Sequence, residues 1–441
     1  MPLAPAFSET PSAAATTAPA LIPDDQLQEL NARRAKINPD DPDARLALAR
    51  WCKERELWSP MAELAREVLT LDSANATQQK VAFNFLRDFD EKVPLPETPL
   101  PAAAAHLQAD LKTRFAHDFA TRSTRHFLIV YDTPEVFAGA RVASLEKAYD
   151  AFFYWFNLKK LHPALLDQRL VVILFKDRAD YLAYAKAIDG GDMAWSAGYY
   201  SQRTNRTAFF DDATDPQSAR AAEGVDKLRA ILKDLSAEID EARRVGDAAK
   251  VSTLTAERNQ LAAETLKAAT QLENLLAQRN TSKTVHEACH QLAFNTGIQK
   301  RLVDYPLWLT EGIACSFEAE GPFGARGPGI VNYGRVNVFK DALKSETQLP
   351  LATLLAPPAA QLDEKQLGLY YAQGWALTHY LYRYRRAAFE QYLTAYLAQP
   401  AAQAVPAELR QKLFTTAFGD DRSVLEKQYE TYIKDLPAKA P

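Results

Sequence analysis

His286 and His290, four residues apart with Glu287 directly after the first, restrict the fold more tightly than anything else in this 441-residue chain. They lie in TVHEACHQLAFNTG, Thr284 to Gly297, which reads as a helix. A step of four is little more than one helical turn, so both imidazoles project from one face. Two ring nitrogens so placed reach a single metal ion at about 2.0–2.1 Å each. Glu287 lies about 100° further round the helix, poorly placed to ligate and well placed to touch a water on that metal. A catalytic metal needs a third protein ligand and an open position. Glu311, in Trp308-Leu309-Thr310-Glu311-Gly312-Ile313-Ala314, is the candidate. Gly297 suits the end of the first helix and Pro306 the start of a second. The short connection lets the two pack side by side, with Glu311 facing the histidines.

This H-E-x-x-H pattern is that of zinc hydrolases, and with the downstream glutamate the chain resembles the gluzincin metallopeptidases. Its likeness to the aminopeptidase N and leukotriene hydrolase family rests on W-L-x-E-G-x-A followed by a second glutamate seven residues on, here Glu311 and Glu318. A further segment, from Tyr371 through Gly374 to Leu381, is similar to that family's Y-x-x-G-F-A-L-x-x-Y-L. The resemblance covers roughly residues 283–385. The G-x-M-E-N exopeptidase signature is missing upstream of the histidines, which argues against aminopeptidase activity. The chain is also similar to uncharacterised bacterial gluzincin-like proteins with H-E-x-x-H-Q-L-x-F-N-T-G, a likeness that implies a fold and a metal site but no substrate. The resemblance implies one zinc ion per chain on His286, His290 and Glu311, with Glu287 as general base. Tyr371, or failing it Tyr370, is then the donor to the oxyanion, and Glu318 accepts the other N–H of a histidine.

Composition excludes several classes. A net charge of −4 gives no bulk attraction to nucleic acid or anionic membrane, and no apolar run approaches the 18 or more residues of a membrane helix. Three cysteines, Cys52, Cys289 and Cys315, make no disulfide framework. Cys289 reads as a small buried residue. Cys315, one turn after Glu311, reads as core or as a neighbour of the metal ligands. The first 25 residues, rich in Ala, Pro and Thr, lack the positive and apolar regions of a signal peptide as written, so the compartment is left open between cytoplasmic and exported after processing.

The expected organisation is a disordered tail over 1–24, then a tetratricopeptide-like helical hairpin and Pro-rich linker over 25–100. An α/β sublobe follows over 101–215, with strands at 126–131 and 170–175 and a hairpin at 197–210 whose edge either pairs with extended substrate or is purely structural. Val225, Leu228, Leu232, Leu235, Ile239 and Ala242 step 3-4-3-4-3, a heptad seam. With the break at Gly246-Asp247 it predicts a coiled-coil hairpin over 216–281, inserted before the metal helix and available for homodimerisation or a docking partner. The helical catalytic sublobe takes 282–437, and the glycine-rich run 321–329 borders its cleft. His379 reads as a core histidine; His106, His117, His126 and His162 have no partner spacing. The fold class is therefore α+β, mostly helical, with a thermolysin-like catalytic domain. The function expected is a zinc-dependent metallopeptidase, an endopeptidase by preference, acting on peptide or protein substrates. The alternative is a non-enzymatic scaffold with a structural or vestigial zinc.

Overall fold

Two almost wholly apolar runs, FLIVY and LVVILF, form the centre of the sheet, because a strand covered on both faces has no polar side to present. The structure, a computed structural model, describes residues 23–95, 100–157, 161, 163–191, 193, 196–321, 324–356 and 363–437. Helices α1 (Asp24–Arg34), α2 (Pro42–Glu54), α3 (Trp58–Thr70), α4 (Ala76–Lys92) and α5 (Leu100–Phe115) come first. Strands β1 (Ala120–Ser123) and β2 (Phe127–Tyr131), helix α6 (Glu135–Asn157), strand β3 (Leu170–Phe175) and helix α7 (Arg178–Tyr184) follow. Next are β4 (Gly198–Ser201), β5 (Arg206–Phe210) and two long helices, α8 (Pro216–Arg244) and α9 (Ala248–Asn295). The remainder is helical: α10 (Leu307–Glu318), α11 (Tyr333–Lys344), α12 (Leu351–Leu355), α13 (Glu364–Tyr384), α14 (Arg386–Leu397), α15 (Ala407–Phe418) and α16 (Arg422–Asp435). The protein is a mostly helical α+β fold around one five-stranded mixed sheet.

The sheet order is β1-β2-β3-β5-β4; β2, β3 and β5 run parallel and the two outer strands antiparallel. Alternate side chains feed opposite cores. Phe127, Ile129, Val172, Leu174 and Phe209 face α6 and α9, while Val130, Ile173, Phe175 and Phe210 pack with residues of α5 and α7. β1, fully exposed and reading ATRS, carries no apolar alternation and was not expected from the sequence. The hairpin of β4 and β5 turns through Gln202–Asn205, with Asn205 in the left-handed region that asparagine tolerates.

The arm differs from its expected form. α8 and α9 pack along each other, with Val225, Leu235, Ile239 and Ala242 buried in the seam. There is no boundary at residue 281, however: α9 runs unbroken for 48 residues from the arm's tip through both histidines. From Ala248 to Asn295 it contains neither glycine nor proline, so nothing interrupts it until Gly297, at φ +78°, ends it. The N-terminal segment likewise carries four helices, α1 to α4, around a small core of their own, where the periodicity anticipates one hairpin. The tail expected over 1–24 lies outside the described residues as far as residue 22, as do linker residues 96–99 and His162. No helix among the described residues is long and apolar enough to cross a membrane.

His126 ties the N-terminal helices to the sheet. It is 1% exposed, with Nδ1 2.6 Å from Glu146 of α6 and Nε2 2.9 Å from Asp90 of α4. Burial opposes the charged ring, but hydrogen bonds to both carboxylates outweigh it and hold its pKa above 6.5. Glu146 is held below its ordinary 4.5, since His126 outweighs its burial. A raised histidine contributes fully below its unfolded value and loses the contribution as pH rises through the folded one; a depressed carboxylate loses its share as pH falls. The bridge is therefore strongest between about pH 4.5 and 6.5. His126→Gln should cost about 1–3 kcal/mol near pH 6, less than for a fully buried pair because Asp90 and Glu146 keep solvent contact. The gap to wild type should narrow towards pH ~9. Urea unfolding at the two pH values measures it, and a gap that widens with pH contradicts the bridge.

Candidate metal centre

One face of α9 supplies the floor of the site. His286 and His290 project together, their Nε2 atoms 3.1 Å apart, and both are less than a tenth exposed. Gln291, further round the helix, anchors that floor: its amide donates to the carbonyls of Val171 and Asn205 and accepts from Thr207. Asn295 pairs with Asn205 at 2.8 Å one turn later. The helix is thus tied to β3 and β5 through polar groups matched within a buried interface.

Glu311 comes from α10, and two glycines set its distance. A Cβ on Gly312 would stand 2.1 Å from Thr378 Oγ1 and 2.6 Å from the Gly374 carbonyl, so α10 and α13 approach more closely than any side chain permits. The same contact puts Tyr371, at the start of the α13 motif, beside the histidines, its ring stacked 6.2 Å from that of His286. Glu311 Oε2 lies 3.0 Å from His286 Nε2 and 3.5 Å from His290 Nε2. Ligand atoms about 2.0–2.2 Å from a tetrahedral ion stand about 3.3–3.6 Å apart, so a few tenths of an ångström of opening seats such an ion.

The tautomer argument points the same way. His286 Nδ1 faces Glu318 Oε1 at 2.9 Å and carries the proton of that bond. Its Nε2 therefore presents a lone pair to a carboxylate oxygen and a second imidazole, an arrangement that only a proton or a cation satisfies. Burial alone lowers the His286 pKa, yet hydrogen bonding with Cys315, Glu311 and Glu318 raises it well above its usual value. Burial likewise raises Glu311, and the two histidines more than reverse that. Metal and proton compete for the same lone pairs.

Glu318 is itself fixed. Arg335 of α11 grips it in two bonds of 2.7 and 3.0 Å, and Asn332 donates a third at 2.8 Å. Neither residue was expected from the sequence. Asn332 carries a local sign, since it caps α11 by accepting from the Arg335 N–H, but nothing in the spacing ties Arg335 to Glu318. Cys315 is buried with Sγ 3.9 Å from His286 Nδ1, and Cys289 is buried against the Ile313 carbonyl. His286, Cys315 and Glu318 also form a group able to hold an ion. The Nε2 side is the better seat: burial keeps the Cys315 thiol protonated, and Glu318 already accepts three donors from Arg335 and Asn332.

Glu287 points into the cleft. Burial lifts its pKa above the ordinary carboxylate value against the pull of His286 and His290, and the Tyr200 backbone N–H of β4 bonds it. Tyr371 is half-buried on the same cleft, whereas the Tyr370 hydroxyl is fully buried and donates to the Leu354 carbonyl. The cleft, about 1080 Å³, is walled by edge strand β4, by α10 and α13, and by the base of the arm. The described residues of the glycine-rich run do not line it. Gly327 packs on Trp155, and the described residues 324–326, 329 and 330 line a separate cavity beside α4 and α6; 322 and 323 lie outside the described residues. His379 is buried against Trp375 away from the cleft, its pKa lowered to about 4 by burial. A third group, His117, Asp132 and Asp180, stands at the carboxyl ends of β2 and β3 as a half-exposed ion-pair cluster.

Residues 280–402 match a family described as a protein of unknown function, DUF1570. The matched stretch carries His286, Glu287, His290, Glu311, Glu318, Arg335 and Tyr371 together, so the whole centre falls within the family's own segment. No curated protein matches the chain.

Purified protein should take up one divalent ion per chain, and His290→Ala should empty the site. Glu318→Gln should retain it with about 10–100-fold weaker affinity, the usual cost of losing the partner that orients a histidine ligand. Elemental analysis and chelator competition measure both. Full metal retention in His290→Ala contradicts the centre.

Proposed function

We propose that the chain is a zinc-dependent hydrolase, specifically a gluzincin-like peptidase acting within extended segments of peptide. The observation that carries this reading is the convergence of two imidazoles and one carboxylate on a single point at the floor of an open cleft, with Glu287 beside them. The donor set of two nitrogens and one oxygen suits zinc. A structural zinc is closed by four protein ligands, whereas three that face a cleft leave a position for substrate. This favours an enzyme over a scaffold.

When bound, zinc would lower the pKa of a water towards about 7 and polarise the scissile carbonyl. The remaining work belongs to the chain. Glu287, with its pKa raised, accepts the proton of the attacking water as the C–O bond forms, and returns it to the leaving amine as the tetrahedral oxyanion collapses and the C–N bond breaks. The Tyr200 N–H orients that carboxylate from the strand. Tyr371 keeps its proton, since burial and then Glu311 drive its pKa well above 10, and it donates to the oxyanion. Among the described residues β4 pairs only with β5, so the rest of its outer edge can take an extended peptide as a further strand.

Three outcomes follow from these roles. Glu287→Gln should keep its zinc and lose about 10²–10⁴-fold in turnover. Tyr371→Phe should lower kcat by about 10²–10³-fold with little change in KM, whereas Tyr370→Phe should act on stability. Acetylating the N-terminus of a cleaved peptide should leave cleavage intact, as expected without the amine-anchoring signature. Steady-state assays with parallel zinc analysis check all three. Wild-type turnover by zinc-loaded Glu287→Gln would remove the base, and strict dependence on a free amine would make the protein an aminopeptidase.

A further inference from the structure

The cleft has two unlike ends. Along α9 the residues facing it include Arg279, Lys283, His286, Glu287, His290 and Phe294, a single stripe at helical spacing. Beyond Phe294 the wall carries Val303, Tyr305 and Leu307, and its one acid, Asp304, is paired with Arg410. Towards the arm it is basic. Lys283 is neutralised there, its ammonium 2.6 Å from Asp212, and Asp215 caps α8 with Arg178 3.8 Å away. Arg220 of α8 and Arg279 of α9 remain; both are exposed on the cleft and make no hydrogen bond or ion pair among the described residues. Two guanidinium groups thus stand uncompensated where the arm joins the site.

The direction of a bound strand follows from the sheet. Asn205, before β5, meets Asn295, and Phe210 at its other end accepts from Lys283, so β5 runs against α9 and its antiparallel partner β4 runs with it. A peptide adding antiparallel to β4, the slightly stronger pairing, runs from the Phe294 end towards the arm. Its carboxyl-terminal side reaches Arg220 and Arg279. Arg279 precedes His286 by seven residues, about 10 Å along the helix, or about three residues of extended chain.

We infer that the cleft selects peptides with an acidic residue within about three positions on the carboxyl side of the scissile bond, held by Arg220 and Arg279 at the base of the arm. This rests on the peptidase reading above and adds its substrate class. The arm is then part of substrate recognition, since each of its two helices contributes one of the cations.

The test is digestion of a proteome-derived peptide library by the full-length, zinc-loaded protein, with cleavage sites read by mass spectrometry. Asp and Glu should be enriched about 3- to 30-fold at those positions, the range expected of two solvent-facing ion pairs. Raising the salt to about 0.5 M should shrink the enrichment. In Arg220→Ala/Arg279→Ala the enrichment should fall to about one, and in Arg220→Glu/Arg279→Glu it should pass to Lys and Arg. Cleavage without acidic enrichment, or enrichment that survives the double alanine variant, overturns this inference and leaves the peptidase reading standing. No cleavage of any peptide by zinc-loaded protein overturns both.

Discussion

His286 is shared between two carboxylates, and the organisation of the centre depends on that division. Nδ1 goes to Glu318 and Nε2 to the point where Glu311 and His290 meet. If Glu318 did not hold the Nδ1 proton, the ring could present that proton to the ligand side and the electron-rich triangle would be lost. Glu318 holds it because Arg335 and Asn332 fix its two oxygens. A loop and a helix some way along the chain thereby determine which nitrogen of one histidine is free. A carboxylate in this position is the outer partner familiar from metal-ligating histidines, and here it is itself pinned by a guanidinium.

The second constraint is the continuity of α9. One helix carries the outer arm, the stripe of cleft residues and the ligands, and Gln291 and Asn295 fix its far end to the sheet. Motion of the arm relative to the centre would have to bend or break a helix that lacks glycine and proline. The arm base and the ligands are therefore held in fixed register, which a flexible insertion would not provide. The close contact of Gly312 with Gly374 does the same for the other wall, bringing Glu311 and Tyr371 to the same ring from different helices.

Much of the centre is legible in the sequence because it depends on local geometry. A four-residue step on a helix puts His286 and His290 together whatever surrounds them. The mostly helical α+β class follows from the two buried-strand runs and the long apolar periodicities. What lies between distant segments is not legible. The grip of Arg335 on Glu318, the Tyr200 N–H on Glu287 and the bridge of His126 between Asp90 and Glu146 join residues with no fixed spacing. The continuity of α9 is hidden for a related reason: its apolar face changes where it leaves α8 and enters the core, and a change of face reads as a change of element. β1 gives no signal because both its faces are exposed.

The central claim is that a metal sits on the Nε2 side of His286, between His290 and Glu311. X-ray absorption at the zinc edge on the reconstituted protein tests it most directly. The account predicts a first shell of nitrogen and oxygen only, at about 2.0–2.2 Å, with the outer-shell scattering of two imidazoles. A sulfur scatterer at about 2.3 Å would put the ion on Cys315 and the Nδ1 side, contradicting both the tautomer and the chemistry built on it.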